Sequence, residues 1–485
     1  MHLSSPVTAL CIPMLCASMA MQPAVPAGEL PPEDALAQQW INAVDASRLI
    51  ADVHTLAGFG TRHTLSDTTD PARGIGAARN WIKKSLESAA RTSPPLEVRF
   101  EDFKLPPSVR VPTGATVVNV VAVMHGSVKE SQGRAYYVVG HYDSRNTDPL
   151  DAKGDAPGAN DDASGTAAVM EMARVIALRQ LESTVVFLCV SGEEQGLLGA
   201  AAHAQNITAT SPYQIFGVLS NDIVGDPTLR PGPQGEAAWP EGVATTADLR
   251  AAAEGPDPRS VVRVFSEGLP KNPSAEQLAL IRSLSGESDS PSRQLARFVA
   301  YVAGREQLPI RPMPVFRQDR FLRGGDHIAF NDAGYAAIRF SVLNEDYTRQ
   351  HVNVEMRDGK PYGDVPSYVD AAYLANVTKV NMATLVHLAN APRTPANVRI
   401  LAAKLDHNTD LAWNACPEPD TAGYEVVWRE TTQWQWEHSV DVGKRTNVTL
   451  PINKDNVFFG VRAYDHDGYR SPVGFAGLDR TPAGK

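Results

Sequence analysis

Several His, Asp and Glu residues of this chain fall immediately after short apolar runs. His141 and Asp143 follow Tyr137-Val138-Val139-Gly140, Glu193 and Glu194 follow Val185 to Val190, Asp222 follows Val218-Leu219, and His351 follows a run ending near Leu343. In open α/β sheets, sites gather outside the carboxyl ends of strands. Asp161 stands apart, within Gly158-Ala159-Asn160-Asp161-Asp162-Ala163-Ser164-Gly165, just ahead of a helical stretch. A helix N-terminus favours a carboxylate there, but two adjacent acids at a turn repel unless a cation or a hydrogen-bond network compensates. A pair of metal ions about 3.5–4 Å apart can supply both a nucleophile and charge stabilisation for amide hydrolysis. One shared carboxylate, plus one His and one carboxylate per metal, requires two His and three acids. His141, His351, Asp161, Glu194 and Asp222 make up that set. Glu193 is then left over as a general base, a role that binding a metal would abolish.

The elements that must position these residues alternate in type. Thr116 to Met124, Ala135 to Gly140, Thr184 to Val190, Ile215 to Leu219 and Ala336 to Val342 read as strands. The run at Thr184 is almost wholly apolar, as expected when both faces of a sheet are covered. Ser164 to Arg179 reads as a helix with Val169, Met172, Ala173 and Ile176 on one face, and Pro31 to Ala90 is mostly helical. Strand, helix and strand in this order predict an α/β domain over 31–391, with a mixed, largely parallel central sheet flanked by helices. A Pro- and Gly-rich segment at about 227–320 interrupts the pattern. It reads as an insertion, either a substrate-shaping lid or a plain surface excursion. Beyond Ala391-Pro392-Arg393-Thr394-Pro395, short alternating strands predict a small β-sandwich over 395–480, with Trp413, Tyr424, Trp428, Phe459 and Val461 in its core. Trp434 and Trp436 are expected to pack beneath it.

Composition removes some classes. The chain has 485 residues, 43% of them hydrophobic and 21% charged, with a formal net charge of −10. Those proportions argue for a folded chain, and the negative charge argues against nucleic acid as a partner. The apolar stretch from about Val7 to Met21 is too short to span a bilayer and precedes small-residue cleavage sites. Residues 1–27 therefore read as an export signal, placing the mature protein in the periplasm or outside the cell. Cys189 lies in an apolar run and reads as a core residue, without a suggested disulfide to Cys416.

Five motifs in order, His141-Tyr142-Asp143-Ser144, Gly158 to Gly165, Ser191-Gly192-Glu193-Glu194-Gln195-Gly196, Asn221-Asp222 and Asp346 to His351, resemble those of the co-catalytic zinc aminopeptidases of peptidase family M28. The resemblance covers roughly 51–391 and implies the zinc-exopeptidase fold, two zinc ions and peptide substrates cut at their N-termini. It further implies that His141 and Asp222 bind one zinc, that Glu194 and His351 bind the other, and that Asp161 bridges them. Glu193 would take a proton from a water bridging the metals, and Asp143 would accept a hydrogen bond from the His141 ring. A cis peptide at Asp161-Asp162 is implied as well. Gly325 to Phe330 resembles a family element that lies near the site without ligating metal, and its His327 is the substitute if His351 is not the ligand. The last segment resembles a fibronectin type III domain. A carboxypeptidase or dipeptidase of the same clan, a glutaminyl cyclase with one zinc, and a non-enzymatic adhesion protein are the competing readings. The sequence does not fix the oligomeric state.

Overall fold

A computed structural model of the chain describes residues 32–89, 96–210, 212–228, 255–403 and 406–479. The expected export signal and part of the expected insertion lie outside these residues. Eight strands form the main sheet: β1 Glu97–Leu105, β2 Ala115–Met124, β3 Arg134–His141, β4 Thr184–Val190, β5 Gln214–Asn221, β6 Val261–Ser266, β7 Arg311–Val315 and β8 Ala337–Val342. Their order is β1-β2-β4-β3-β5-β8-β6-β7. The four central strands, β4, β3, β5 and β8, are mutually parallel. β2 joins β4 antiparallel, and β6 joins β8 antiparallel. The sheet is therefore mixed, with the expected parallel centre.

Helices cover both faces. They are α1 Pro32–Asn42, α2 Ala46–Gly58, α3 Gly74–Ala89, α4 Ala163–Ile176, α5 Leu198–Thr210, α6 Ala275–Ser283, α7 Pro291–Arg305, α8 His327–Asp332 and α9 Ala371–Asn390. One core packs residues of α1, α2, α3, α4, α7 and α9 on the sheet, and a second packs α5 and α8 on the opposite face. Every residue of β3 and β4 is buried, which is why both strands are apolar or aromatic apart from polar residues at their ends. Helix α4 was expected to present one apolar face. Instead all of it but Arg174 is buried, because α2 and α9 pack outside it while the sheet lies beneath. Its small residues, Ala163 to Ala168, make room for that double contact.

The described part of the expected insertion is not a surface excursion. β6 and β7 lengthen the sheet, and α7 packs on that extension. β7, Arg-Pro-Met-Pro-Val, is the last strand of the sheet, the one place where prolines leave the ladder intact. After α9 the chain forms two four-stranded sheets around one core of Trp413, Tyr424, Val426, Phe459 and Val461, among others. Five strand pairings in these two sheets are antiparallel, as expected, but Arg399–Leu401 and Gly477–Asp479 pair in parallel. Trp436 packs on the sandwich as expected, its ring 3.3 Å from the place of a Cβ on Gly460. Trp434 is 44% exposed and Trp436 donates through Nε1 to Gln294 Oε1 on α7, so both mark the junction between the two domains. Cys189 is buried and unbridged, as expected. Among the described residues, no helix is long and apolar enough to cross a membrane.

Candidate metal centre

The candidate residues converge because the four parallel strands end at one level. His141 pairs with Val190 at the ends of β3 and β4, and Asn221 pairs with Phe340 on β8. His141 is the last residue of β3, Asp222 follows β5, Glu193 and Glu194 follow β4, and His351 lies on the long segment after β8. Gly192 takes φ +79° and turns the chain off β4, where Leu198 already stands 2.9 Å from the place of a Cβ. Asp161 arrives from the loop before α4. Its neighbour Asp162 caps that helix, accepting from Gly165 N at 2.8 Å, and also accepts from His141 N at 3.1 Å. Gly165 is fixed by this closeness: a Cβ there would lie 2.2 Å from Asn221 O. The peptide bond Asp161-Asp162 is cis, as the resemblance implied.

The geometry sorts the side chains around Asp161. His141 Nε2 lies 3.2 Å from Asp161 Oδ1 and 3.7 Å from Asp222 Oδ1. His351 Nε2 lies 2.9 Å from Asp161 Oδ2 and 3.0 Å from Glu194 Oε1. Two groups of three residues therefore have donor atoms close enough for a cation: His141, Glu193 and Asp222, and Asp161, Glu194 and His351. His327 is in neither group: its Nε2 donates to Gln318 O at 2.7 Å. His351 reaches its place with φ +54°, directly after the turn that the Asp346 carboxylate closes on Thr348 N.

The donor set fits metal ions. His141 Nε2, His351 Nε2 and Glu194 Oε1 are buried and have no hydrogen-bond partner among the described residues. Such groups are expensive unless something pairs with them. His141 Nδ1 lies 3.2 Å from the carbonyl oxygen of Asp143, an acceptor, so the ring proton sits on Nδ1 and Nε2 is bare. This revises the expectation for Asp143. Its carboxylate stays 3.6 Å from the ring because it accepts instead from Glu193 N, Glu194 N and Thr64 Oγ1, at 3.3, 3.2 and 3.2 Å. Asp143 thus fixes the turn bearing both glutamates, while its backbone orients His141.

The charge balance points the same way. Burial, with Asp222 and Glu194 adding to it, holds the Glu193 carboxyl well above its ordinary range. Burial works against a charged His351, yet Glu194 and Asp161 carry it up to about 10. Carboxylates outweigh cations here, which is what bound metal would correct.

Comparison with known proteins agrees. Peptidase family M28 matches residues 119–252. A probable zinc metalloprotease of Pyrenophora teres f. teres is 42% identical over 462 residues, covering 94% of this chain and 90% of that one. Another, of Pyricularia oryzae, is 43% identical over 463 residues, covering 93% and 87%. The chain belongs to peptidase family M28, among its zinc metalloproteases. A solved structure, the LapA aminopeptidase of Legionella pneumophila, shares 16% identity at a TM-score of 0.48 over 75% of this chain and 78% of that one. That likeness is too distant to speak to the reaction.

In this M28 chain several supporting residues escaped the sequence reading. Arg339, wholly buried in the middle of β8, lies 3.0 Å from Asp222 Oδ2 and donates to both oxygens of Asp319 at 3.0 and 3.1 Å. Arg145 donates through Nε to Glu194 Oε2 at 3.0 Å and sits 2.7 Å from His351 Nδ1. A cation on Nε2 requires a proton on Nδ1, so loading the site releases Arg145 from that ring. Gln350 donates to Asp161 Oδ2 at 2.6 Å. Asp364 accepts from Asn160 N and Asp161 N at 2.7 and 2.8 Å, holding the loop that carries Asp161. Arg145, two residues past the His-x-Asp motif, and Gln350, inside the Asp346 to His351 motif, had a sequence cue.

Proposed function

We propose that this enzyme is a two-zinc aminopeptidase that releases residues from peptide N-termini. The observation carrying the reading is the position of Asp161, whose two carboxylate oxygens face the two histidine nitrogens from opposite sides. A carboxylate so placed suits a bridge, with His141 and Asp222 holding one ion and Glu194 and His351 the other. Zinc in such a pair supplies a Lewis acid and an activated water. Glu193, whose carboxylate falls within reach of His141 and Asp222, is the residue to take a proton from the attacking water and pass it to the leaving amine. The order and spacing of the five motifs, which resemble those of the family's co-catalytic zinc aminopeptidases, support a preference for the amino end. Export by a signal at 1–27, and a fibronectin type III kind of C-terminal sandwich, belong to the same proposal.

The test is hydrolysis of aminoacyl chromogenic amides beside the same compounds N-acetylated. Cleavage of the free amines, with the acetylated set about 10–100-fold slower, is expected, since leaving one buried polar group unpaired costs about 1–3 kcal/mol. Equal rates, or cleavage confined to free C-termini, would replace this reading with an endopeptidase or carboxypeptidase.

A further inference from the structure

A large cleft lies away from the metal centre. It measures about 930 Å³ and runs along the junction where α7 and Phe316, just past β7, meet the C-terminal sandwich. Phe316, Trp434, Phe458 and Phe475 give it aromatic walls, and Arg297 and Arg429 also line it. Phe316 and Trp434 meet edge to face at 6.5 Å, and Phe458 and Phe475 lie 5.8 Å apart. These rings remain only partly covered, and Trp434 is 44% exposed.

The charges beneath these rings do not balance. Arg297 and Arg429 have side chains 2% exposed, and both pair with one wholly buried carboxylate, Asp289. Arg429 takes the better share, donating to both Asp289 oxygens at 3.0 and 2.8 Å. Arg297 donates through Nε to Trp434 O and approaches Asp289 Oδ1 at 3.1 Å, but no hydrogen bond of proper geometry reaches its two terminal nitrogens among the described residues. Arg293 adds a third guanidinium, stacked with Arg297 on the ring of Phe316 at 5.0 and 4.8 Å. Burial pushes Arg297 down to about 10 against the pull of Asp289, and Arg429 and Arg293 push it further. A buried guanidinium short of acceptors is costly, and an anion entering the cleft would meet that need.

We propose that this cleft binds a small carboxylate with an aromatic or branched apolar body. The carboxylate takes the free N–H groups of Arg297, and the body packs against Phe316, Trp434, Phe458 and Phe475. The planar fork of an arginine suits a carboxylate, while the rings reward an apolar body that a bare anion lacks. The proposal stands apart from the hydrolytic reading, since none of these residues touches the metal centre.

The test is calorimetric titration of the zinc-loaded full chain with 3-phenylpropionate, with 3-phenylpropanol and acetate as the uncharged and bodiless controls. Arg297→Met and Trp434→Ala are titrated alongside. Arg297→Met leaves the Arg429–Asp289 pair intact, and Trp434 is exposed enough that its truncation empties no core. A single cooperative thermal transition and unchanged hydrolysis rates confirm that both variants fold. The wild type is expected to prefer phenylpropionate over each control by about tenfold or more, the scale of a hydrogen bond to a charged group. Each variant is expected to lose a similar factor. Saturable binding that survives Arg297→Met at full strength would place the ligand elsewhere and overturn the proposal. So would preference for the alcohol, or failure of the wild type to bind at millimolar concentrations.

Discussion

Glu193→Gln is expected to lower kcat by about 10²–10⁴-fold, the usual worth of a general acid–base group, with zinc content unchanged. The substitution keeps the shape and hydrogen-bonding reach of the side chain and removes only its capacity to take a proton. The turn that carries it is held independently, by the Asp143 carboxylate on Glu193 N and Glu194 N. Measuring kcat and zinc content on the same preparation separates the two roles open to this residue. Its carboxylate lies close enough to His141 and Asp222 to share a cation with them. If Glu193 were a ligand, the variant would lose zinc and activity together. A variant that keeps its zinc but barely turns over fixes Glu193 as the base.

Arg339→Met is expected to destabilise the fold by about 3–5 kcal/mol, because removing one partner of a buried ion pair leaves charge uncompensated. Two carboxylates are left so here. Asp222 loses the guanidinium 3.0 Å from Oδ2, and Asp319 loses both of its hydrogen bonds from the same group. Asp222 is also a candidate ligand, so loss of its anchor should weaken zinc by about 10–100-fold, the usual effect of removing an outer support. Denaturant unfolding and chelator competition measure the two effects. Arg339→Lys should restore part of the stability and less of the zinc affinity, since one ammonium cannot reach both carboxylates in the geometry of the fork. Unfolding midpoints and zinc affinity both equal to wild type would mean that Arg339 only fills space.

The candidate metal centre was legible because strand ends mark it. His141, Glu193, Glu194 and Asp222 each interrupt or follow an apolar run, and the register of β3, β4, β5 and β8 brings those ends level. The supports were illegible for the opposite reason. Arg339 sits inside Ala-Ile-Arg-Phe-Ser-Val, where pattern alone assigns a core strand and gives no cue that its guanidinium holds two acids. Asp364 comes from a segment without periodicity, and its partners lie some two hundred positions earlier in the chain. The sheet shows the same limit. β1, Glu-Val-Arg-Phe-Glu-Asp-Phe-Lys-Leu, is a half-exposed edge whose charges hide its alternation, and β7 carries two prolines. Neither was read as a strand. The segment that read as an insertion proved to contain sheet, because β6 is short and Pro- and Gly-rich sequence precedes it.

Anomalous diffraction at the zinc edge, on crystals of the enzyme saturated with zinc, tests the central claim most directly. Two peaks about 3.5–4 Å apart are predicted, one beside His141 and Asp222, the other beside Glu194 and His351, with Asp161 between them. A single peak, or a first site completed by Glu193 in place of Asp161, would contradict the account.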